Sequence, residues 1–406
     1  MTQKIDLSVE FAGVRFKNPF IIAASPPTDS RVMIARAFEA GWAGVVIKTV
    51  SPVGNYSPLV FPMMAGLQPG SNMAALGNID LLSDKLADEW MADVAWLKQR
   101  FPDHRVIVSI VGQSQPDWRM LVQQSEQAGA DMIEASISCP QGSMVEGEAD
   151  VDGWMISQDA RLTEKVTRWS VEAAKSIPVY VKITSGVTDI LQIALAVERG
   201  GADGICMIDS VEGILGLDLE TLSPLPSVRG LGSHSGLTGR AIKPIGLRCV
   251  ADVYEAVKIP IAGVGGVYTW RDALEYLLLG ASVVQVCTGV MQKGFKLIDH
   301  LADGLSRWML DHGYQHPGQL TGLAQPQIKS VEELSPRDKV LSRINQDVCI
   351  HCGLCYVACR DGAHVAIRFG EDRIPVVDEE RCVGCGFCAS VCPVPKCITM
   401  ELVSAS

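Results

Sequence analysis

Short apolar runs alternate with longer amphipathic stretches along most of the chain. Runs rich in Val, Ile and Ala are typical of parallel strands that are covered on both faces. Helical periodicity in the intervals predicts helices, among them 161–176, 189–199, 243–257 and 270–279. The apolar runs predict eight strands, at residues 20–24, 44–48, 106–110, 132–137, 179–183, 204–208, 259–264 and 283–287.

Glycines mark the return from a predicted helix to the next strand. Gly129, Gly201 and Gly280 each stand within three residues of a strand, and glycine readily takes the left-handed conformation that ends a helix. Eight strand–helix units without a break predict a (β/α)8 TIM barrel, with a doubly wound open sheet as the alternative. A hairpin of residues 7–9 and 14–16 is predicted to plug the barrel bottom.

The strand–helix pattern stops before the C-terminal region. The stretch 321–342 has no clear strand pattern and contains Pro326 and Pro336, as is typical of a linker. The sequence therefore predicts a barrel domain over residues 1–320, a linker over 321–342 and a small domain over 343–406.

Two nearly identical cysteine runs lie in the small domain. Each has the spacing C-x2-C-x2-C-x3-C, and the second is followed by Pro393. This spacing is typical of a ferredoxin-like domain with two 4Fe–4S clusters, in which the fourth cysteine of each run serves the other cluster. One run alone would also suit a zinc knuckle or a redox pair, but two tandem runs favour clusters. The predicted ligands are Cys349, Cys352, Cys355 and Cys392 for the first cluster and Cys382, Cys385, Cys388 and Cys359 for the second.

The net charge, the lengths of the apolar runs and the other cysteines argue against several classes of protein. The net charge of −11 over 406 residues argues against a nucleic acid partner, which needs a basic surface. No apolar run approaches the roughly 18 residues that span a membrane, and the polar N-terminal segment shows no signal peptide. Because the other cysteines form no disulfide framework, we expect a cytoplasmic protein; they are Cys139, Cys206, Cys249, Cys287 and Cys397.

Polar and glycine residues follow the predicted strands, where a barrel of this kind places its active site. Backbone amides of Gly265–Gly266 and Thr288–Gly289 follow the last two strands and are suited to hold a phosphate. Lys182 ends the fifth strand and is interpreted as a ligand or electrophile, with a core lysine as the alternative. A phosphate-bearing redox cofactor beside one-electron clusters indicates a flavin, which exchanges electrons in pairs or singly.

Motifs spread over nearly the whole chain carry a family resemblance. They include Asn18-Pro19-Phe20, Ile47-Lys48-Thr49, Ser138-Cys139-Pro140 and the stretches 200–204 and 235–244. With the two cysteine runs behind them in the same order, these motifs resemble the dihydroorotate dehydrogenase superfamily, and within it the catalytic subunits of bacterial NAD-dependent dihydropyrimidine dehydrogenases. The resemblance implies a barrel that binds FMN and a C-terminal domain that carries the two clusters.

The resemblance also implies roles at the barrel mouth. Cys139 would be the general acid/base, since an ordinary thiol pKa of about 8.5 leaves it protonated yet able to give up the proton. The alternative for Cys139 is a small buried hydrophobic residue. Asn78 would contact substrate or flavin. FMN would be held by Lys48, Thr49 and Lys182 along its ring or ribityl side, and by Gly236, Gly265, Gly266 and Thr288 around its tail and phosphate.

The reaction implied by the resemblance acts on a CH–CH or C=C bond. Electrons from NAD(P)H would enter a partner flavoprotein that carries FAD, pass through the two clusters to FMN, and reach an activated C=C as a hydride while Cys139 protonates the neighbouring carbon. The chain has no G-x-G-x-x-G that opens a βαβ unit, so we expect NAD(P)H to bind the partner. We expect a homodimer of this chain within a heterotetramer.

Four positions depart from the pattern of that family. Where it reads a pyrimidine edge with three asparagines and a neighbouring threonine, this chain has Ser114, Ser136, Asp209 and Ser210; Ser138 is a further predicted substrate contact. An ionised aspartate only accepts hydrogen bonds, so Asp209 favours a substrate that is rich in N–H groups or positively charged. Two substrate classes stay open: a pyrimidine held through waters, and another unsaturated ring or conjugated amide.

The sequence leaves two alternative functions, and it predicts one mobile loop. A dihydroorotate dehydrogenase is disfavoured, because those oxidases lack the fused two-cluster module and Asp209 would repel the carboxylate of orotate. An electron-transfer subunit that turns over nothing would have no need of Cys139. The loop 141–158 is long and contains three glycines, which predicts a lid over the pocket, with an ordinary exposed loop as the alternative.

Overall fold

The structure, a computed structural model, describes residues 5–53, 59–68, 70, 73–138, 156–334 and 338–403. The chain divides into two compact units, Met1–Gln327 and Ile328–Ser406. This division falls inside the stretch predicted as the linker. At one end of that stretch the Gln325 side chain donates to the backbone oxygens of Ala251 and Leu279 over 2.7 and 3.1 Å, and at the other a strand begins at Lys339.

Strands and helices alternate through most of the first unit. The strands are β1 Val9–Phe11, β2 Val14–Phe16, β3 Phe20–Ile22, β4 Gly44–Val50, β5 Met64–Leu67, β6 Ala75–Asn78, β7 Arg105–Ile110, β8 Met132–Ser136, β9 Val179–Lys182, β10 Gly204–Met207, β11 Val211–Gly213, β12 Leu217–Asp218, β13 Ser223–Pro224, β14 Ser235–Thr238, β15 Ile261–Val264 and β16 Ala281–Val286. The helices are α1 Arg31–Ala40, α2 Ala87–Arg100, α3 Gln115–Gln127, α4 Ala160–Ala173, α5 Ile190–Arg199, α6 Lys243–Ala256, α7 Trp270–Leu278, α8 Thr288–Lys293 and α9 Leu297–Asp311.

Eight parallel strands close into a barrel. Around it they follow the order β3, β4, β7, β8, β9, β10, β15 and β16, and β16 pairs with β3. The predicted (β/α)8 barrel is confirmed, and closure excludes the open sheet. Each predicted strand overlaps an observed one, with bounds that differ by no more than two residues.

The β1–β2 hairpin closes the barrel bottom, as the sequence predicted, although β1 begins at Val9 rather than at residue 7. Phe11 and Phe16 are each 1% exposed and pack in one cluster with Ile21 and Tyr180 from the barrel strands. The ring centroids of Phe11 and Tyr180 lie 5.3 Å apart in an edge-on arrangement. A barrel sealed at this end is open to ligands at the carboxyl ends of its strands.

The three glycines predicted to end helices all have left-handed backbones. Their φ angles are 87° at Gly129, 89° at Gly201 and 119° at Gly280. At Gly280, a β-carbon would also lie 2.3 Å from the Tyr254 ring. A side chain there would strain the backbone and displace the ring at the junction of α7 and β16.

A second sheet in the first unit was not predicted. It is antiparallel, in the order β11, β14, β6, β5, and it is built from segments that follow β4 and β10 in the chain. It places Asn78 opposite Gly236. Its strands are only three or four residues long and several contain glycine, so they lack the apolar pattern that predicts a strand.

The second unit is small and built from two similar halves. Its elements are β17 Lys339–Ile344, α10 Leu354–Gly362, β18 Ile367–Phe369, β19 Pro375–Val377, α11 Phe387–Ser390 and β20 Ile398–Val403. β17 pairs antiparallel with β20, and β18 with β19. Each cysteine run thus lies between a strand and a following strand, with a short helix inside it. Across both units, none of the helices in the described ranges is long and apolar enough to cross a membrane.

Candidate active site and cluster cavities

Lys182, Asp209 and Ser138 meet at the barrel mouth. They stand at or just after the ends of β9, β10 and β8, which are neighbours in the barrel. The Lys182 Nζ lies 3.4 Å from Asp209 Oδ1, and the Ser138 hydroxyl donates to Asp209 Oδ2 over 2.6 Å. The Ser210 amide also donates to Oδ1, over 2.8 Å. Three predicted substrate residues are thereby joined to one predicted cofactor residue.

Mutual attraction keeps Lys182 and Asp209 charged. Burial opposes the charged form of Lys182, which is 6% exposed, but the carboxylates of Asp209 and Glu134 outweigh it and raise the pKa of Lys182 above its ordinary value. Burial also opposes ionisation of Asp209, but Lys182 and the Ser138 hydroxyl outweigh it and lower the pKa of Asp209. At neutral pH the site therefore presents a carboxylate, 27% exposed, beside a cation.

A second carboxylate, Glu134, lies one layer deeper in the barrel. The Tyr180 hydroxyl donates to Glu134 Oε2 over 2.9 Å and the Gln285 amide over 3.4 Å. Glu134 Oε1 and Gln285 Oε1 are buried without a partner in the part of the chain that the structure describes. This cluster was not predicted; the available signal was a carboxylate in the middle of an otherwise apolar, fully buried strand.

Lys48 and Thr49, both predicted to contact the cofactor, are buried on β4. The Lys48 Nζ lies 2.5 Å from Asp80 Oδ1 and 3.9 Å from Asp29 Oδ2. Burial raises the pKa of Asp29, against the opposing pull of Lys48. The hydroxyls of Thr49 and Ser109 share a hydrogen bond of 3.0 Å. The two carboxylates that hold Lys48 were not predicted.

A cavity of about 460 Å³, a volume that includes space open to solvent, lies at the ends of the last barrel strands. Gly265 and Gly266 line it with φ angles of 128° and 68°. A β-carbon on Gly266 would lie 2.6 Å from Lys243 Cβ and 3.0 Å from Gly239 O, so only glycine lets the backbone come this close. The predicted site residues in the lining are Lys182, Asp209, Ser210, Gly265, Gly266 and Thr288.

Thr238 and Gly239 line the same cavity and were not predicted. The Thr288 hydroxyl donates to the Thr238 hydroxyl over 2.9 Å. Gly236, predicted to hold the cofactor tail, is not among the lining residues. Its carbonyl accepts the Asn78 amide over 2.7 Å, and a β-carbon on it would lie 2.4 Å from Ser210 Oγ. Gly236 therefore lets the second sheet pack directly against Ser210.

The two serines predicted to read the substrate differ in their surroundings. Ser136 is buried at the end of β8, in register with Lys182. Ser114 caps α3: its hydroxyl accepts from the Asp117 amide over 3.4 Å, and its own amide donates to the Asp117 carboxylate over 3.0 Å. This cap explains why a serine suits position 114. A contact between Ser114 and the substrate remains a prediction.

Two predictions fall outside the described residues. One is the acid/base assignment of Cys139, the residue that follows Ser138. The other is the lid at 141–158, of which only residues 156–158 are described.

The eight cysteines of the two runs divide between two cavities in the second unit. One cavity, of about 320 Å³, is lined by Cys349, Cys352, Cys355 and Cys392. The other, of about 350 Å³, is lined by Cys382, Cys385, Cys388 and Cys359. Each takes three cysteines from one run and the fourth from the other, as the spacing predicts. No three His, Cys, Asp or Glu side chains in the described ranges converge on a single metal ion. Four cysteines around each cavity suit a polynuclear cluster with a thiolate at each corner.

The barrel cavity is suited to a phosphate-bearing flavin. Its lining combines closely packed glycine backbone at 239, 265 and 266 with the hydroxyls of Thr238 and Thr288, a surface that can surround a phosphate. Lys182 adds a buried cation, and Gln285 adds an amide whose oxygen is unpartnered in the described part of the chain. These residues fit a flavin; the contacts themselves were predicted from the resemblance.

Comparison with known families agrees with both halves of this description. The family model for dihydroorotate dehydrogenase matches residues 6–309, which includes every barrel strand. The model for a 4Fe-4S dicluster domain matches residues 342–400, which includes both cysteine runs.

Three relatives illustrate the range of similarity. The NAD-dependent dihydropyrimidine dehydrogenase subunit PreA of Escherichia coli (strain K12) is 38% identical over 96% of this chain and 94% of its own length. The chloroplastic dihydropyrimidine dehydrogenase (NADP(+)) of Arabidopsis thaliana is 33% identical over 82% of this chain and 80% of its own. The catalytic subunit of dihydroorotate dehydrogenase B (NAD(+)) from Pyrococcus horikoshii is 33% identical over 78% of this chain and 97% of its own.

Proposed function

This chain belongs to the dihydroorotate dehydrogenase family, and we propose that it is the catalytic subunit of a dihydropyrimidine dehydrogenase-like enzyme. The proposal rests on how much of this chain each relative matches. The Escherichia coli relative matches 96% of this chain, and so extends into the dicluster domain. The Pyrococcus dihydroorotate dehydrogenase subunit is matched over 97% of its length while covering 78% of this chain. The joined barrel and dicluster domain therefore favours the dihydropyrimidine type over dihydroorotate oxidation.

Electrons are proposed to enter from NAD(P)H through a partner flavoprotein that carries FAD and to reach the barrel through the two clusters. The name of the Escherichia coli relative, an NAD-dependent enzyme subunit, supports a partner. A homodimer of this chain within a heterotetramer remains part of the proposal. FMN in the barrel would supply the hydride for an activated C=C bond.

The residues at the mouth would bind and orient the reactants. Lys182 places a permanent positive charge in the cavity lining, and Gly265, Gly266 and Thr288 form the part suited to a phosphate. Ser138 fixes Asp209 through the 2.6 Å hydrogen bond. Because Lys182 neutralises part of its charge, Asp209 can accept hydrogen bonds at the mouth without being an isolated buried anion.

Cys139 is proposed to donate the proton to the carbon next to the one that receives the hydride. The test compares the native protein with Cys139→Ala and Cys139→Ser, each supplied with a chemical one-electron reductant and a substrate such as uracil. We expect turnover to be lost in the alanine variant, while flavin and cluster absorption stay unchanged. Undiminished turnover by Cys139→Ala would remove the acid/base assignment. Absence of turnover in the fully loaded native protein would favour a subunit that only transfers electrons.

A second substrate class is favoured by the ionised Asp209 at the barrel mouth, a position where the resemblance implies an amide that reads a pyrimidine. A carboxylate accepts hydrogen bonds but donates none. It would pair with an edge that presents N–H groups or a positive charge, and would leave a ring carbonyl unpaired there. The alternative to a pyrimidine is therefore another unsaturated ring or conjugated amide with donors on that edge.

A further inference from the structure

Ser342 is buried beside one cysteine of the second cluster cavity. It lies on β17, is 2% exposed, and lines that cavity together with Cys388. Its hydroxyl oxygen lies 3.2 Å from Cys388 Sγ. A side-chain donor at this distance from a cluster sulfur acts directly on the electronic properties of the cluster.

The direction of this hydrogen bond follows from the chemistry of the ligand. A thiol and a hydroxyl can each donate to the other, but a cysteine bound to iron is a thiolate and has no proton. With a cluster in place, the proton therefore belongs to Ser342, and Cys388 Sγ accepts it.

Among the described residues, the lining of the first cavity includes no hydroxyl. Ser342 stands seven residues before Cys349, and Pro375 stands seven residues before Cys382. Pro375 lines the first cavity as Ser342 lines the second, but a proline side chain donates no hydrogen bond. The lining of the first cavity does include the thiol of Cys397. This thiol donates to the Asn345 carbonyl over 3.7 Å and also lies within hydrogen-bond reach of Cys392 and Cys349, but a thiol is a weaker donor than a hydroxyl.

Backbone amides donate to cysteine sulfurs in both cavities, so they do not distinguish the two clusters as the Ser342 hydroxyl does. The His351 amide donates to Cys349 Sγ in the first cavity over 3.4 Å. The Ala366 amide donates to Cys359 Sγ in the second over 3.2 Å. Backbone amides also donate to Cys355 in the first cavity and to Cys388 in the second. Both cavities thus have backbone donors to their sulfurs, and the Ser342 hydroxyl is an addition to the second.

We propose that Ser342 makes the two clusters unequal by raising the reduction potential of the second. Reduction adds one electron and therefore negative charge to the cluster, and a donated hydrogen bond to a ligand sulfur stabilises that charge. No bond forms or breaks, and the proton stays on the Ser342 oxygen. The second cluster is therefore easier to reduce than it would be without the Ser342 hydroxyl.

The test measures the midpoint potentials of both clusters in the full-length protein by anaerobic EPR-monitored potentiometry, with dithionite as the reductant. Ser342→Thr and Ser342→Val have nearly the same shape, but only threonine keeps the hydroxyl. Ser342→Ala removes it without adding volume. Ser390→Ala is the matched control, because the Ser390 hydroxyl donates to the Gly386 carbonyl over 3.2 Å and has no contact with a sulfur among the described residues.

We expect one midpoint potential to fall in Ser342→Val and Ser342→Ala and to stay near the native value in Ser342→Thr and Ser390→Ala. The other cluster and the flavin should be unaffected. In a Cys352→Ala background, which removes a predicted ligand of the first cluster, the remaining cluster should still show the shift.

The proposal would be overturned if the second cluster had the same midpoint potential in Ser342→Thr and Ser342→Val. It would also be overturned if the midpoint potentials of both clusters fell by the same amount. Loss of iron in Ser342→Val but not in Ser342→Thr would mean that the hydroxyl serves cluster assembly, and the tuning role would be wrong. Because no substrate is present, these outcomes are independent of whether the proposed reaction is correct.

Discussion

Asp209 is the residue on which substrate choice depends most. It keeps its charge through Lys182 at 3.4 Å and Ser138 at 2.6 Å, and it remains partly exposed in the cavity lining. A cation such as Lys182 would usually attract an anionic ligand, but here it is already paired with the Asp209 carboxylate. The mouth therefore selects for hydrogen-bond donors more than for acceptors.

Asp209→Asn tests this selection. The amide restores a donor and removes the charge, so we expect kcat/KM for uracil or thymine to rise by about tenfold to a hundredfold relative to a substrate with an N–H-rich or cationic edge. The control is Asp218→Asn, whose carboxylate accepts the Glu220 and Thr221 backbone amides in an exposed turn. An unchanged preference in Asp209→Asn would mean that Asp209 positions Lys182 without contacting substrate.

Gly266 tests the phosphate-binding part of the cavity. Alanine at this left-handed position costs roughly 1–2 kcal/mol of backbone strain, and its β-carbon would meet Lys243 and the Gly239 carbonyl. We expect Gly266→Ala to fold with a lower melting temperature and to retain much less flavin, measured by absorbance after gel filtration.

Gly313→Ala is the control for that experiment. Gly313 has a similar positive φ of 79° but open space around its β-carbon position, so alanine there adds backbone strain without displacing a neighbour. Equal flavin content in the two variants would show that the close approach at Gly266 does not serve the cofactor.

At the scale of elements, the local sequence patterns predicted most of the strands and helices of the barrel but few of the contacts at its mouth. Buried strands such as β10 and β15 are continuous apolar runs, and their spacing by helices predicts closure. The pairing of Asn78 with Gly236 joins residues 158 positions apart, and no local pattern encodes it. Glu134 and Asp80 were missed for a related reason, since their partners come from other strands and loops.

The packing of α1 against the turn after α2 predicts a pH-dependent stability. The His104 ring lies 4.6 Å from the Phe38 ring, and its Nε2 lies 2.6 Å from Lys17 Nζ. Burial, with the nearby Lys17 charge, lowers the pKa of His104 to about 4. Because an unfolded histidine titrates near 6.5, protonation favours the unfolded state. The stability from this site is complete above about pH 6.5 and declines as the pH falls toward 4.

His104→Gln should weaken that dependence. We expect the drop in melting temperature between about pH 7.5 and about pH 5 to be smaller than in the native protein, as measured by circular dichroism. His300→Gln, an exposed histidine on α9, should leave the drop unchanged. The same pH dependence in all three proteins would mean that other groups govern acid stability.

At the scale of the whole molecule, two units carry two kinds of chemistry. The barrel has the cavity suited to a flavin, and the C-terminal unit has the paired cysteine cavities. Each has its own core: among the described residues, the cluster cysteines pack in one hydrophobic cluster with residues of the second unit. Loss of one cluster should therefore leave the barrel cavity intact.

Cys352→Ala tests this independence. Removal of one predicted ligand should lower the iron content from about eight to about four per chain, with flavin content unchanged. Cys397→Ala, which lies against the same cavity but is not a predicted ligand, should keep about eight. Loss of flavin together with the iron would contradict independent units, and full iron in Cys352→Ala would contradict the ligand assignment.

The central claim is that the barrel passes electrons to an unsaturated ring. The most direct measurement is anaerobic stopped-flow reoxidation of the chemically reduced protein, followed through flavin absorbance, with uracil, thymine and a panel of non-pyrimidine unsaturated rings and conjugated amides. We predict rapid reoxidation by at least one of these compounds, with an excess of N–H-rich or cationic compounds among those that react. A fully loaded protein that none of them reoxidises would contradict the claim and leave electron transfer as its only activity.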